Sequence, residues 1–136
     1  MKSLSFLLIA VLIAIAVSFS SCTEDDPLIP DVDAREKFLG TWGVEESCVR
    51  LEYEVEITAA SGSDTKVFIE NFAFTGPGYD PAYGYVSGNS VDLPQQTIGD
   101  NWKVSGSGTY QSDGTIMWNY YIEIGANASN CEAEYQ

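Results

Sequence analysis

The 136-residue sequence contains no histidine, and its six lysines and arginines face twenty aspartates and glutamates. Without histidine, the chain lacks the most common general base and the usual ligand of zinc. The formal net charge of −14 excludes a basic surface that could contact many phosphate groups. We therefore expect a protein that is not an enzyme, with no catalytic residue, no metal site, no cofactor and no nucleic-acid partner.

Two motifs that resemble catalytic or phosphate-binding sites have simpler structural explanations. Glu52, Glu54 and Glu56 alternate along a predicted strand. They could pair as in glycoside hydrolases, but acids at this spacing usually form the solvated side of a sheet. Gly106-Ser107-Gly108 is followed by no helical pattern, so it lacks the helix N-terminus of a phosphate site. We interpret its small residues as positions where a sheet bends tightly or where a bulky neighbour packs.

Long hydrophobic runs are absent except at the N-terminus. Lys2 precedes an apolar run from Leu4 to Val17 that only Ser5 interrupts, and serines follow. This run is shorter than the ~20 apolar residues of a membrane-spanning helix. A basic start, an apolar middle and a small-residue end are typical of a secretory signal peptide. We predict a signal peptide over residues 1–21, the alternative being an uncleaved membrane anchor.

A cysteine follows this segment directly. Ser20-Ser21-Cys22 resembles the lipobox of bacterial lipoproteins, in which a peptidase cuts before a cysteine that carries diacylglycerol. Phe19 stands where leucine is usual, a departure that the looser lipoboxes of Bacteroidetes tolerate. The resemblance implies lipidation of Cys22, with palmitate among several chains that anchor the protein stably to the outer membrane. The alternative is a plain secretory signal with an unrelated cysteine.

An acidic segment comes next. Thr23-Glu24-Asp25-Asp26 resembles the export signal of surface lipoproteins in Bacteroidetes, which implies exposure at the cell surface. A solvated linker is the simpler interpretation, and a periplasm-facing lipoprotein is the alternative location. We predict an acidic, proline-containing tether over residues 22–33. Without residues 1–21, five basic residues face twenty acids, so the net charge becomes −15.

The pattern of residues 34–136 is typical of an all-β domain. In LEYEVEIT, from Leu51, and in TIMWNYYIEI, from Thr115, apolar and polar residues alternate, which predicts strands with one buried face. Weaker strand patterns are KVFIENFAF, AYGYVSG, SVDLPQQTI and NWKVSGSGTY, separated by turn sequences rich in glycine and serine. Pro94 marks an edge or a bulge, and Asp33 is the predicted N-cap of a helical turn over residues 33–39. We predict a small antiparallel up-and-down β-barrel of six to eight strands.

The start of the first strand carries a family resemblance. Gly40-x-Trp42 in FLGTWGVEESC resembles the signature of lipocalins and other calycins. Residues 35–136 are also similar to small lipocalin-like lipoproteins of Bacteroidetes. The segments that resemble the sequence patterns of these proteins are NFAF, VDLPQQ and SGSGTY. The resemblance implies that Trp42 plugs the closed end of the barrel and that Gly40 lets the chain turn beneath it. The chain is shorter than lipocalins proper, and no second or third lipocalin motif follows.

Two cysteines remain beyond the lipidation motif. An even pair in an exported chain predicts a disulfide between Cys48 and Cys131. Cys48 ends the first predicted strand and Cys131 follows the last predicted one. An up-and-down barrel places its terminal strands side by side, so this bond would join the seam. The alternative is two free thiols in the core, and without histidine neither cysteine is a candidate nucleophile.

Aromatic residues supply the candidate binding site. Tyr79, Tyr83 and Tyr85 flank the loop GPGYDPAYG, and tyrosine suits the recognition of sugars or peptides. The alternative assigns them to the rim and core of a small barrel. The other large aromatics are expected in the core: Trp42, Trp102, Trp118, Phe68 and Phe72.

The expected function is non-enzymatic binding by an outer-membrane-anchored lipoprotein. The ligand would be a small hydrophobic or amphipathic molecule at the barrel mouth, or a partner protein of the envelope. The alternative is a structural accessory subunit of an outer-membrane complex that has no small-molecule ligand. A barrel interior filled by tryptophan and tyrosine would favour the accessory subunit.

Overall fold

A computed structural model of the protein describes residues 32–136. These residues form β1 (Gly40–Glu46), β2 (Glu52–Ala59), β3 (Lys66–Glu70), β4 (Ala82–Ser87), β5 (Ser90–Ile98), β6 (Trp102–Tyr110), β7 (Ile116–Ile124) and β8 (Asn127–Tyr135). Each strand pairs with the next along the chain, and β8 pairs antiparallel with β1, so the sheet closes into a barrel. The predicted up-and-down β-barrel is confirmed.

The predicted signal peptide, Cys22 and nearly all of the predicted tether lie outside the described residues. Within residues 32–136, no helix has the length and apolar character needed to cross a membrane.

Alternating side chains divide the interior of the barrel from its outer wall. On β2, Tyr53, Val55 and Ile57 are buried, while the glutamates between them are exposed, as a solvated face requires. Leu51 and Ile124 were expected on the buried faces but are 55% and 42% exposed. Leu51 immediately precedes β2 and Ile124 is the last residue of β7, so both lie beyond the depth of the core.

The eighth strand carries no clear period-two pattern in its first half. Its residues 127–130 are exposed, and only Cys131, Ala133 and Tyr135 are buried. The prediction that Cys131 follows the last strand is therefore wrong, because Cys131 lies within β8. Pairing with β7 over nine positions, from Ile116↔Tyr135 to Ile124↔Asn127, defines this strand despite its polar sequence.

Two glycines of β6 allow β7 to pack closely. A Cβ on Gly108 would lie 2.6 Å from the ring of Trp118, which is fully buried. A Cβ on Gly106 would lie 2.3 Å from the carbonyl oxygen of Asn119. The interpretation of these glycines as positions where a bulky neighbour packs is confirmed.

A bulge interrupts β5 at Pro94, which is one of the two alternatives, an edge or a bulge, that the proline predicted. The register with β6 shifts between Leu93 and Gln96. The Gln96 side chain then pairs with β4, where its Oε1 accepts from the amide of Tyr83 at 2.8 Å and its Nε2 donates to the Tyr83 carbonyl at 2.7 Å. A side chain thus replaces the missing ladder hydrogen bonds.

One end of the barrel is closed by the N-terminal segment. The helical turn is a 3₁₀ helix, Glu36–Phe38, preceded by Arg35 at the N-cap position, so the assignment of Asp33 as N-cap is wrong. Asp33 instead accepts from the Arg35 amide at 2.9 Å and from its guanidinium. Phe38 is fully buried, and Trp42 Nε1 donates to its carbonyl at 2.8 Å.

The opposite end is closed by the connection between β3 and β4. The segment Asn71–Gly76, here called the plug, contains a second 3₁₀ helix, Phe72–Phe74. A single strand was expected through this region, but β3 ends at Glu70, where the left-handed Asn71 turns the chain inward. Phe72 is 1% exposed and packs against Trp118 and Tyr120 at centroid distances of 5.6 and 4.9 Å.

Candidate functional site

The predicted tyrosines lie on the outer wall of the barrel and not in its mouth. On β4, the inward positions are Gly84 and Val86, so Tyr83 and Tyr85 point outward. Their rings form an edge-on pair with centroids 6.0 Å apart. Tyr79 lies in the connection that follows the plug and is 47% exposed, and it forms no aromatic pair with the other two within residues 32–136.

Side chains of β3 extend this tyrosine pair into a larger surface. Phe68 is opposite Tyr83, and Lys66 is opposite Tyr85. The Lys66 Nζ atom lies 4.6 Å from the ring centroid of Tyr83 and 5.1 Å from that of Phe68. We call these four residues the aromatic platform. An ammonium at this distance is attracted by both ring faces, so it fixes the rings relative to each other.

The placement of Phe68 corrects the prediction that it is a core residue. It faces outward and is half-buried because its phase along β3 is opposite to that of Val67 and Ile69. Of the other aromatics expected in the core, Trp118 and Phe72 are fully enclosed, whereas Trp42 and Trp102 are only partly buried against it.

The backbone beneath the platform is also fixed. The amide and the carbonyl of Tyr83 both form hydrogen bonds with the Gln96 side chain. The backbone that carries the Tyr83 ring is therefore held by two hydrogen bonds. Exposed acids lie beside the platform: Asp92 is opposite Tyr85, and Glu70 is the next outward residue after Phe68 on β3. The platform is thus an aromatic centre with one lysine and acidic neighbours.

A second group of polar side chains lies inside the barrel. Glu46 is the inward residue at the end of β1 and is 8% exposed. The Tyr53 hydroxyl donates to Glu46 Oε2. We call Glu46, Tyr53, Trp118 and Tyr120 the Glu46 cluster.

The tyrosines of this region stay protonated to high pH. Burial, then the neighbouring Tyr135, then the hydrogen bond to Glu46 raise the pKa of Tyr53 far above its usual range. Burial, followed by the adjacent Glu46 carboxylate, raises the pKa of Tyr120, and burial raises the pKa of Tyr135. The hydroxyls therefore remain available as hydrogen-bond donors.

Three polar atoms of the cluster lack a hydrogen bond that satisfies both distance and angle within the described chain. They are Glu46 Oε1, Trp118 Nε1 and the Tyr120 hydroxyl. All three belong to side chains that are more than nine-tenths buried. Buried polar groups without partners are rare in folded proteins, and each costs about 1–3 kcal/mol.

The Glu46 cluster is not predicted by the sequence pattern. Glu46 is two residues after Val44, and the alternation of β1 places both in the barrel interior. An acid in the apolar phase of a strand was the available signal. That signal is weak because Glu45 and Glu46 together resemble the polar end of a strand.

The predicted disulfide is present. The sulfurs of Cys48 and Cys131 are 2.00 Å apart, and their Cα atoms are 5.5 Å apart. Cys48 lies in the exposed connection between β1 and β2, whereas Cys131 is buried within β8. The bond therefore joins the seam where the first and last strands meet.

Side chains fill the interior of the closed barrel. The largest fully buried ones include Trp118, Tyr135, Phe38 and Phe72. A depression lined by Ser105, Asn119, Asn130 and Glu132 opens directly to solvent. In the part of the chain that the structure describes, no group of three or more acids or cysteines could hold a metal ion.

Comparison of this chain with protein-family models and with curated proteins found no match.

Proposed function

We propose that this chain is a lipoprotein, anchored to the outer membrane through Cys22, that binds a partner protein of the cell envelope without catalysing a reaction. The observation that carries the proposal is the aromatic platform on the outer wall. Tyr83 and Tyr85 are held there by Gln96, by Lys66 and by each other.

The platform has the composition of a protein-binding surface. Tyrosine and phenylalanine side chains carry much of the energy of protein interfaces, and ring positions that are already fixed reduce the entropy lost on binding. Tyr85 is 43% exposed, so its ring is available to a partner. The adjacent Asp92 and Glu70 favour a partner whose surface is basic.

The filled interior supports a partner protein over a small molecule that resides in the closed barrel. Trp118 and Tyr120 occupy the space beneath the plug and pack against its Phe72. This observation also favours the second candidate function, a structural accessory subunit of an outer-membrane complex. An accessory subunit would be recovered in fixed stoichiometry with its complex, whereas a transient binding protein would not.

The sequence before residue 32 supports the proposed location. The apolar segment, Ser20-Ser21-Cys22 and the acidic residues that follow have the order found in surface-exposed lipoproteins. Several acyl chains on Cys22 would hold the protein stably at a membrane. A periplasm-facing orientation remains the alternative.

Site-specific cross-linking tests the binding proposal. A photoreactive amino acid at Thr58, which is exposed and opposite Phe68, places the probe beside an intact platform. We expect one discrete protein adduct in intact cells, and loss of that adduct in the double variant Tyr83→Ser/Tyr85→Ser. The purified partner should bind less tightly as salt concentration rises, because the acidic neighbours of the platform are then screened.

Tyr121→Ser is the matched control. Tyr121 is also an exposed tyrosine on the outer wall, 39% accessible, but it lies on β7, away from the platform strands. Its replacement should leave the adduct unchanged. Equal adduct yields from the double variant and the unchanged chain would show that the platform is not the contact surface.

A further inference from the structure

A depression in the outer wall lies on the side of the barrel formed by β6, β7 and β8, and we call it the β7 depression. Its volume is about 510 Å³, within the range of roughly 300–1,000 Å³ typical of small-ligand sites. Ser105 is opposite Tyr121, and Tyr121 is opposite Asn130. One outward position along β7, Asn119 is opposite Glu132. The outward side chains of three neighbouring strands therefore line one depression.

Most polar side chains of the β7 depression do not hold the fold together. The hydrogen bonds of this region within residues 32–136 join the Glu132 amide to the Ser47 hydroxyl and the Tyr121 hydroxyl to β7 itself. None of them uses the side chains of Ser105, Asn119, Asn130 and Glu132. By contrast, the amides of Asn71 and Gln96 are bound to backbone groups. The polar groups of the depression are therefore available to a ligand.

The aromatic ring in the β7 depression is held by a charged pair. The Tyr121 hydroxyl donates to Glu123 Oε2 at 3.3 Å, and Glu123 Oε1 accepts from Lys103 Nζ at 2.9 Å. Lys103 and Glu123 are directly opposite each other on β6 and β7. Tyr121 is nevertheless exposed. A ring that is already positioned loses less entropy when a ligand packs on it.

We propose that the β7 depression binds one glucose unit of a neutral β-linked glucan. The C–H face of the sugar ring stacks on the ring of Tyr121. The hydroxyl groups at the edge of the sugar bind the side chains of Asn119, Asn130 and Glu132. This binding site goes beyond the proposed function and does not depend on it.

The sugar class follows from the groups that line the depression. A sugar hydroxyl donates and accepts, an amide does both, and a carboxylate only accepts, so every lining group can find a partner on the sugar. A β-glucose ring carries its hydroxyls at its edge and only hydrogens on its two faces. The faces therefore suit the electron-rich face of Tyr121, and the edge suits the surrounding amides and carboxylate.

The charge and the open shape of the depression select a neutral polymer. Lys103 is the only basic residue of β6, β7 and β8, and Glu123 already pairs with it. The Glu132 carboxylate and the net charge of −14 repel anionic sugars. Because the depression opens directly to solvent, a bound unit is not enclosed and a longer chain can continue on either side of it.

Nuclear magnetic resonance titration of the full chain tests the proposal, with cellotetraose as the probe and a detergent that has no sugar headgroup. We expect saturable shifts of the side-chain amide signals of Asn119 and Asn130. Tyr121→Ser removes the stacking face and should weaken binding by about tenfold, whereas Tyr121→Phe keeps the ring and should retain most of the affinity. Absence of saturable shifts at these amides, or undiminished binding by Tyr121→Ser, would overturn the proposal.

Two matched comparisons test the hydrogen bonds and the charge. Asn130→Ala should weaken binding of cellotetraose, whereas Asn127→Ala changes an exposed asparagine of β8 outside the depression and should not. Methyl β-glucopyranoside should bind the unchanged chain more tightly than methyl β-glucuronoside, which adds only a carboxylate. Equal weakening by the two asparagine variants, or equal affinity for the two glycosides, would contradict the site.

The aromatic platform and the β7 depression can be separated by variants of each. Tyr83→Ser/Tyr85→Ser should lose the cross-linked protein adduct and keep its affinity for cellotetraose. Tyr121→Ser should lose that affinity and keep the adduct. Loss of cellotetraose binding in the platform variant would place the sugar on the platform and overturn the assignment to the β7 depression.

Discussion

At the scale of single residues, the packing of the barrel interior depends on glycines as well as on bulky side chains. Gly108 leaves the space that the indole of Trp118 fills. Trp118 in turn contacts Phe72 and Tyr135, so its position is coupled to the plug and to the seam strand β8.

Gly108→Ala should therefore destabilise the barrel strongly. The added methyl group would lie 2.6 Å from a fully buried ring, so the indole or the backbone must shift. Overpacking of this kind costs about 1–3 kcal/mol, measurable as a lower urea midpoint. Ser107→Ala changes the exposed neighbour and serves as the control. A Gly108→Ala midpoint equal to the control midpoint would mean that the interior adapts freely.

The buried tyrosines predict a specific sensitivity to alkali. The folded barrel raises the pKa of Tyr53, Tyr120 and Tyr135, chiefly through burial. An unfolded tyrosine loses its proton near pH ~10. The folded state then binds more protons, so stability that is complete below this pH is lost as the pH rises above it.

We expect tyrosinate absorbance to rise cooperatively as the barrel unfolds in alkali. Tyr53→Phe should reduce the amplitude of that step, whereas Tyr121→Phe should not reduce it. The near-ultraviolet circular dichroism, recorded in the same titration, reports the fold. Complete tyrosinate formation while this signal is unchanged would contradict the assignment of these hydroxyls to the interior.

Residue roles that depend on local sequence could be predicted, and those that depend on three-dimensional neighbours could not. Two glycines within a strand pattern indicated close packing around Gly106 and Gly108. The pairing of Cys48 with Cys131 was predicted from their number and from the predicted export of the chain. The burial of Glu46 could not be predicted because it depends on Tyr53 and Tyr120, which lie on other strands.

At the scale of elements, the bulge in β5 shows how a side chain can complete a sheet. Pro94 has no amide hydrogen and displaces the register, and Gln96 then pairs with the backbone of Tyr83. The bulge therefore fixes the strand that presents the aromatic platform.

Gln96→Ala should loosen β4 locally. Loss of the two hydrogen bonds to the Tyr83 backbone, each of ordinary strength, predicts about 1–3 kcal/mol of destabilisation. It also predicts faster hydrogen exchange at the Tyr83 amide. Gln95→Ala alters the exposed neighbouring residue and should leave this amide protected. Unchanged exchange at Tyr83 in Gln96→Ala would show that the side chain is not what protects it.

The sequence predicted the elements whose hydrophobic pattern has a clear period. β2 and β7 alternate strictly, because one face lies in the core and the other in solvent. β8 and the plug were missed for different reasons. The first half of β8 has no buried face and depends on β7 for pairing, whereas the plug continues an apolar run that the left-handed Asn71 turns away from the strand direction.

At the scale of the whole molecule, one covalent bond reinforces a short seam. β1 and β8 pair over three positions, Val44↔Tyr135 to Glu46↔Ala133, and Gly43 exchanges two further backbone hydrogen bonds with Gln136 at 2.9 Å. The disulfide encloses a sequence separation of 83 residues.

Removing the disulfide should lower stability substantially. The entropy of closing a loop of this length gives about 4.5 kcal/mol as an upper value. Cys48→Ala/Cys131→Ala should therefore unfold at a much lower denaturant concentration than the oxidised chain. Its midpoint should not respond to reductant, unlike that of the unchanged chain. A variant as stable as the oxidised chain would show that strand pairing alone holds the seam.

The proposed anchor predicts the location of the whole molecule. Cys22→Ala should abolish labelling by radioactive palmitate and release the protein from the membrane fraction. The disulfide variant, with Cys22 intact, should retain the label and stay with the membrane. Unchanged fractionation of Cys22→Ala would contradict lipid anchoring.

The closure of β8 onto β1 also sets an order of events during biogenesis. β1 is the first strand in the chain and its partner at the seam, β8, is the last. The edge of β1 that pairs with β8 is therefore unpaired while the intervening strands assemble. A bare strand edge is a template for pairing with other chains. During folding, the incomplete barrel is therefore most prone to self-association before its final strand has paired. A holdase that shields the β1 edge over that interval would improve the yield of closed barrels.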